Sequence, residues 1–263
     1  MVWVYSSAFC LQEVSLDHQI TLATRFQGPP GTGNGGYVSG LLAKELGLDA
    51  LRAGVEVTLR APTPLEQALE VRGTAEKASF HFGEVLIGEA IPAPFELAVP
   101  QAPTYAQAFS AQSHSPSLDP NSENIVPGGL GFHPVCFCCG ADVPEGQGLR
   151  VFASAVPGFE GVAAAWQPHQ AFADDAGWLP TEVIWGALDC PGQFAFYVNG
   201  VRTGLLGRIT AKVVKPVKAS DQIVITGWQI SVEGKKHFAG TALFNQAGEC
   251  CAYSKQVWIG RMD

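Results

Sequence analysis

The sequence predicts an α+β fold in which one unit, an antiparallel sheet wrapped around a central helix, is made twice. The same order of elements, a strand, a helix and then a run of strands, occurs on both sides of a Pro-, Ser- and Asn-rich segment at 101–129. The helix predicted in the second half is apolar almost all round, so it must be enclosed by sheet. The interval from helix to proline also repeats, with 26 residues from Gly36 to Pro62 and 27 from Asp189 to Pro216.

In the first half, residues 18–26 predict a strand, and 34–47 predict the helix, with Asn34 and Gly47 as its expected caps. Alternating apolar residues then predict three strands, at 55–61, 68–75 and 82–90.

In the second half, a strand at 161–168 precedes the helix predicted at 181–198. Four strands follow, at 207–215, 222–232, 237–245 and 251–259. In the first of these, alternation directs Ile209 and Ala211 to one face and Arg208, Thr210 and Lys212 to the other. A sheet curled around one long helix, made twice, is a duplicated (double) hotdog fold.

Composition bounds the organisation and the partners. The 263 residues are 47% hydrophobic and 15% charged, which is enough apolar material for a core. We expect an N-terminal hotdog at 1–100, a linker at 101–132 without helical or strand periodicity, and a C-terminal hotdog at 133–263. Because no run approaches about 18 uncharged apolar residues and no secretory signal is evident, we expect a soluble cytoplasmic protein without a membrane span.

The net charge of −8 argues against nucleic acid as a partner. The charge is uneven, however, because residues 202–263 carry 9 Lys and Arg against 4 Asp and Glu. We expect Arg208, Lys212 and Lys215 from this basic quarter to bind the phosphates of an anionic ligand, although a solvated strand face would show the same pattern.

Two motifs carry a resemblance to a known family. They are "HPVCFCCGADVPEGQGLRVF" at 133–152 and "EVIWGALDCPG" at 182–192. With the repeated layout, they make the chain resemble the double-hotdog acyl-CoA thioesterase superfamily, nearest in layout to the type II acyl-CoA thioesterases. The resemblance covers roughly residues 18–98 and 133–260.

The resemblance implies hydrolysis of acyl-CoA to a free acid and CoA by a site of Asp, Gln and Thr. Asp189 matches the Asp by its place in the second helix, and Gln256 matches the Gln by its place on the last strand. No hydroxyl residue falls at the expected place of the Thr; Thr203 and Thr210 flank it, and we take Thr210. The other interpretation of Asp189 is a helix cap before Pro191.

The start of the first helix is the expected substrate-binding element. The N–H groups of Gly35 and Gly36 would stabilise the oxyanion that develops in thioester hydrolysis, because glycine permits close approach and the helix dipole favours negative charge. Asn34 and Tyr37 complete this substrate-binding set. A tight turn into the helix would explain the two glycines equally well.

The seven cysteines do not form a secreted disulfide framework, so we expect reduced thiols. His133, Cys136, Cys138 and Cys139 could bind zinc, but a second pair with knuckle spacing is missing. We therefore predict no metal site, and interpret Cys190 as a small buried hydrophobic residue.

The sequence thus predicts an acyl-CoA thioesterase that uses water activated by Asp189 and Gln256, with no cofactor beyond the CoA part of the substrate. We expect a homo-oligomer, a dimer of double hotdogs. The alternative from another class is a non-catalytic hotdog that binds acyl-CoA or a lipid as a sensor or scaffold. A hydratase is disfavoured because Asp17 and His18 precede the first helix instead of following it.

Overall fold

The computed structural model describes residues 17–119 and 134–260. Its strands are β1 (His18–Thr21), β2 (Val55–Leu59), β3 (Ala68–Thr74), β4 (Lys77–Phe82), β5 (Val85–Pro92), β6 (Ser154–Ala155), β7 (Val162–Trp166), β8 (Leu205–Val213), β9 (Ile223–Glu233), β10 (Lys236–Phe244) and β11 (Cys250–Ile259). They form one antiparallel sheet in the order β1-β3-β4-β5-β2-β8-β11-β10-β9-β7-β6.

In the part of the chain that the structure describes, four α-helices accompany the sheet: α1 (Gly35–Ala43), α2 (Gly47–Ala53), α3 (Tyr105–Ala111) and α4 (Thr181–Tyr197). Helix α1 packs on the strands of the first half, chiefly β2 and β5, and α4 packs on β9, β10, β11 and β7 of the second half. Each half therefore has one central helix covered by its own strands. The predicted double hotdog is confirmed; α1 ends four residues and α4 one residue before its predicted end.

The two halves are joined by strand pairing and by helix packing. Strand β2 pairs antiparallel with β8, from Val55 opposite Ala211 to Thr58 opposite Arg208, so the sheet is continuous. On the helix side, α1 and α4 contact each other through Gly36 of α1, where an added Cβ would lie 2.5 Å from the Trp185 carbonyl oxygen. Only a residue without a side chain permits this approach.

Helix α4 is buried from Val183 to Phe196, as its apolar sequence requires. Pro191 lies inside the helix and leaves one turn without its backbone N–H donor. The sheet accommodates the helix at Gly227 of β9, where a Cβ would lie 2.1 Å from the Pro191 carbonyl oxygen. The middle of α4 is thus fixed against the sheet.

Several elements differ from the sequence expectations; for example, the strand predicted at 18–26 ends at Thr21. Gly47 does not end the helical region, because α2 begins at this residue, which has a φ of +85°. Strand β4 was not predicted. It pairs with β5 through a turn at Gly83, which has a φ of +56°. The prediction that 101–132 holds no helix is wrong for α3, which Thr104 begins with a capping box to Gln107.

The segment from Phe95 to Ala111, which includes α3, packs on the strands of the second half. Phe95, Leu97, Ala108 and Ala111 join a hydrophobic cluster with Trp228 and other residues of the β7–β11 strands. The domain boundaries at 100 and 132 stay a prediction, and residues 120–133, including His133, lie outside the described residues. Within the described ranges, no helix is both long and apolar enough to cross a membrane.

Candidate active site

A cavity of about 280 Å³ opens beside the start of α1. The loop at 28–33 and the beginning of β8 form its walls, and Trp258 and Ile259 of β11 close another side. Asp189 lines the cavity from the middle of α4. The cavity therefore lies where the two halves meet.

The Asp189 carboxylate is buried, with 4% of the residue exposed. Its Oδ2 accepts a hydrogen bond of 2.6 Å from Asn34 Nδ2. Its Oδ1 has no hydrogen-bond partner among the described residues. Asp189 thus has one oxygen fixed by the first half and a second, buried oxygen that makes no hydrogen bond to a described residue.

Burial is the main cause that raises the pKa of the Asp189 carboxyl, and negative charge at Cys136 acts in the same direction, so that this pKa is about 7. The backbone N–H of Gly36, which lies near the carboxylate, and the Asn34 amide act in the opposite direction and lower this pKa. The group is consequently balanced between its two protonation states near neutral pH.

Asn34 links the helix start to the carboxylate with one side chain. Its Oδ1 accepts a 2.9 Å hydrogen bond from the Tyr37 N–H and so caps α1, as the sequence predicted. Its Nδ2 is left to donate to Asp189. The same amide therefore positions both the helix N-terminus and the acid, a double role that the sequence did not reveal.

Gly35 lines the cavity, and as the first residue of α1 its N–H has no acceptor within the helix. Gly36 does not line the cavity, because its Cα packs against Trp185 and Asp189 of α4. Tyr37 does not line the cavity; its ring stacks on Phe26 at 4.1 Å between centroids and meets Phe137 edge-on. Of the predicted substrate-binding residues on α1, Asn34 and Gly35 thus line the cavity.

Gln256 is fully buried, and its amide is engaged in hydrogen bonds. Its Nε2 donates to the Leu188 carbonyl oxygen at 2.6 Å and lies 3.2 Å from Ser254 Oγ, and its Oε1 accepts from Trp258 Nε1 at 2.8 Å. The side chain thereby holds α4 at the residue before Asp189. It does not line the cavity, so its part in activating water stays a prediction.

The structure does not bring the remaining predicted residues to the cavity. Thr210 lies on the face of β8 opposite Ile209, with its Oγ1 3.4 Å from a Glu56 carboxylate oxygen. Arg208 forms an ion pair with the same glutamate. Lys212 and Lys215 form ion pairs with Glu96 and Glu249, respectively. These basic groups lie along the sheet with acidic partners.

Gln193 and Arg60 are among the polar residues of the cavity that sequence reasoning missed. Gln193 lies one helical turn after Asp189 and donates a 3.0 Å hydrogen bond to the Gly204 carbonyl oxygen. Arg60 lies at the end of β2 and pairs with Glu89. The spacing of four residues from Asp189 was a usable signal for Gln193, because such residues share a helix face.

The thiols also gather beside the cavity. The sulfur atoms of Cys136, Cys139 and Cys190 lie within 4.8 Å of one another, and all three residues are buried. Cys136 and Cys190 line the cavity as well. The sequence placed Cys190 apart from the other cysteines because only the folded chain brings α4 against the loop at 136–140.

Fold and site together define a double-hotdog protein with a buried acid in the cavity where its two central helices meet. In a comparison with solved structures, the chain resembles a protein of Novosphingobium aromaticivorans named as a thioesterase, with 13% identity, a TM-score of 0.62, and coverage of 94% of this chain and 96% of that chain. It also resembles the tesB protein of Mycobacterium avium subsp. paratuberculosis, with 13% identity, a TM-score of 0.58, and 93% of each chain covered.

A third similar structure is a hot dog fold protein of unknown function from Alicyclobacillus acidocaldarius, with 10% identity, a TM-score of 0.52, and coverage of 95% of this chain and 94% of that chain. No protein-family model and no curated protein sequence matches the chain. At these identities, the likeness establishes the fold over nearly the whole chain.

Proposed function

We propose that the protein hydrolyses acyl-CoA thioesters, with Asp189 as the general base. Water adds to the thioester carbonyl carbon, the C–S bond breaks, and the products are a carboxylic acid and CoA with a free thiol. The observation that carries the proposal is the buried Asp189 carboxylate, which lines the cavity and accepts a hydrogen bond from Asn34 through Oδ2. Among the described residues its Oδ1 makes no hydrogen bond, while the Gly36 N–H lies near the carboxylate.

The geometry supports a division of labour between the two carboxylate oxygens. Asn34 holds Oδ2, so the carboxylate keeps one orientation while Oδ1 accepts a proton from water. The same group can return that proton to the sulfur as the C–S bond breaks, which leaves the enzyme unchanged after one turnover. Burial on an apolar helix keeps bulk water from competing for the reaction.

The N–H of Gly35 is the proposed donor for the developing oxyanion. It lies at the helix N-terminus, where the partial positive charge of the helix also favours an anion. Gly35 and Asp189 come from different halves of the chain and line the same cavity. A thioester carbonyl in this cavity would thus lie between the base and the oxyanion donor.

The test is a hydrolysis assay over acyl-CoA chain lengths that measures release of the CoA thiol. Asp189→Asn keeps the shape of the side chain and removes its charge, so we expect the rate to fall by about 10²-fold or more, the usual scale for losing a general base. Glu182→Gln is the matched control, because Glu182 lies on the same helix and pairs with Lys44 away from the cavity. This control should hydrolyse substrate at the parent rate.

The second candidate, a hotdog that binds acyl-CoA or a lipid without hydrolysis, is favoured by the placement of Thr210 and Gln256 away from the cavity. Saturable acyl-CoA binding with no thiol release at any chain length would select this candidate. Equal hydrolysis by Asp189→Asn and the parent would instead show that Asp189 only stabilises the fold.

A further inference from the structure

The thiol cluster beside the cavity consists of Cys136, Cys139 and Cys190. All three are at most 5% exposed, and their sulfur atoms lie within 4.8 Å of one another. The Cys136 and Cys190 sulfurs are 3.8 Å apart. The cluster joins two parts of the chain that are more than 50 residues apart in sequence, so tertiary folding assembles it.

The loop that carries two of the thiols has the form of a metal-binding knuckle. Cys136 and Cys139 are separated by two residues, and the N–H of Gly140 donates a 2.7 Å hydrogen bond to the Cys136 carbonyl oxygen. The turn requires glycine at 140, because a Cβ there would lie 2.4 Å from the Pro134 carbonyl oxygen. The backbone N–H groups of Cys138 and Cys139 also interact with the Cys136 sulfur, an arrangement that stabilises a thiolate.

We propose that Cys136, Cys139 and Cys190 bind one zinc ion as thiolates. Zinc takes tetrahedral sites with Zn–S bonds of about 2.3 Å, which place two bound sulfurs about 3.8 Å apart. The separation of the Cys136 and Cys190 sulfurs matches this value, whereas a disulfide would need about 2.0 Å. Soft thiolates select zinc over hard cations such as magnesium or calcium.

This proposal corrects the sequence argument against zinc, which found no ligand outside the 133–139 segment. Helix α4 supplies that distant ligand through Cys190. The Cys138 thiol also interacts with that of Cys190, but it lies outside the group of sulfurs that are within 4.8 Å of one another, so the site has three thiolate ligands. The bound ion would fasten the 136–140 loop to α4, one residue from Asp189, and so hold one wall of the cavity in place.

The test measures metal content and does not depend on any hydrolysis. The full chain, without a histidine tag, is purified under reducing conditions without chelator, and its zinc is measured by mass spectrometry. We expect about one zinc ion per chain. Cys136→Ser, Cys139→Ser and Cys190→Ser should each lower the zinc content at least tenfold.

Cys251→Ser is the matched control, because Cys251 is a buried free thiol on β11 and lies outside the thiol cluster. It should keep the parent zinc content. If the three cluster variants do not fold, cobalt replaces zinc in the parent, and a sulfur-to-cobalt charge-transfer band in the near ultraviolet would confirm thiolate ligands.

Two outcomes would overturn the proposal. One is a folded parent that binds neither zinc nor cobalt after reconstitution under reducing conditions, which would leave the cysteines as packed thiols. The other is zinc retained by all three folded cluster variants, which would place the metal elsewhere. If a parent that binds neither zinc nor cobalt still hydrolyses acyl-CoA, the proposed function stands and only the zinc site is rejected.

Discussion

Alanine at position 36 should force the two central helices apart. In the structure, a Cβ on Gly36 would lie 2.5 Å from the Trp185 carbonyl oxygen and 2.7 Å from the Asp189 Cβ. Both contacts are with atoms that cannot rotate away, a backbone oxygen and a Cβ of α4. Because the sheet holds α4 at Gly227, the helix cannot easily shift either. Relaxed contacts between carbon atoms need about 3.5 Å or more, so the helices must separate by about 1 Å.

The expected loss of stability follows from two opposing effects. Overpacking of this kind costs about 1–3 kcal/mol, occasionally more. Alanine gains about 1 kcal/mol over glycine in helix propensity. The net expectation for Gly36→Ala is a loss of about 0–2 kcal/mol, and a chain of this size should then melt up to about 8 °C lower.

The matched control is Gly186→Ala on α4. A Cβ there would lie 3.4 Å from side-chain atoms of Leu149 and Phe137, which is an ordinary contact. This variant keeps the propensity gain of about 1 kcal/mol without the clash. The two alanine variants should therefore differ by the overpacking cost alone, about 1–3 kcal/mol, although both replace a buried glycine on a central helix.

The assay is thermal unfolding by calorimetry, together with the rate of CoA release. Gly36→Ala should lose activity beyond its loss of stability, because the Gly36 N–H moves away from the Asp189 carboxylate. If Gly36→Ala is as stable as Gly186→Ala, the helices do not approach as closely as described, and the explanation for glycine at this position is wrong.

Three further expectations concern Gln256, the cavity mouth and the surface charges. Gln256→Ala should destabilise the fold by about 1–3 kcal/mol, because the Trp258 N–H loses its acceptor in the core. A lower rate of thioester hydrolysis with an unchanged melting temperature would instead support the catalytic role predicted from sequence. Arg60→Ala should weaken CoA binding in titration calorimetry more than Lys212→Ala does, because only Arg60 lines the cavity; the reverse order would support the basic strand face. Hydrogen bonds from Lys77 and Arg60 lower the pKa of Glu89, so its ionised form stabilises the fold above its usual pKa, and that stability is lost as pH falls through the lowered value. Glu89→Gln should therefore reduce stability at pH 7 by less than about 1 kcal/mol and leave it unchanged in acid; a difference that grows on acidification would contradict this.

The sequence was informative wherever a pattern is local. Helix α4 followed from its apolar run, and alternation along β8 correctly placed Ile209 on the face opposite Thr210. Helix α3 was missed although Thr104 and Gln107 formed a readable capping box. Strand β4 was missed because a short turn at Gly83 joins it to β5.

The site depends on contacts between distant elements, which no local pattern contains. Asp189 was identified by its improbable place in an apolar helix, but its partner Asn34 was predicted only as a helix cap. Cys190 was separated from Cys136 and Cys139 for the same reason. The spacing of a motif gives information only on residues that are close in sequence. These groups come together only when α4 packs against α1 and against the loop at 136–140.

The antiparallel packing of the central helices has a consequence for ligand stoichiometry. Asp189 is the ninth residue of α4, and Ala43 is the ninth residue of α1. At that other end of the helix pair, Lys44 forms a 3.1 Å ion pair with Glu182, so an ion pair lies there and no carboxylate corresponding to Asp189. Two identical separate domains would have to carry the same residues at both ends. A fused pair is free of that symmetry, and titration with a cavity ligand should saturate at a single molecule per chain.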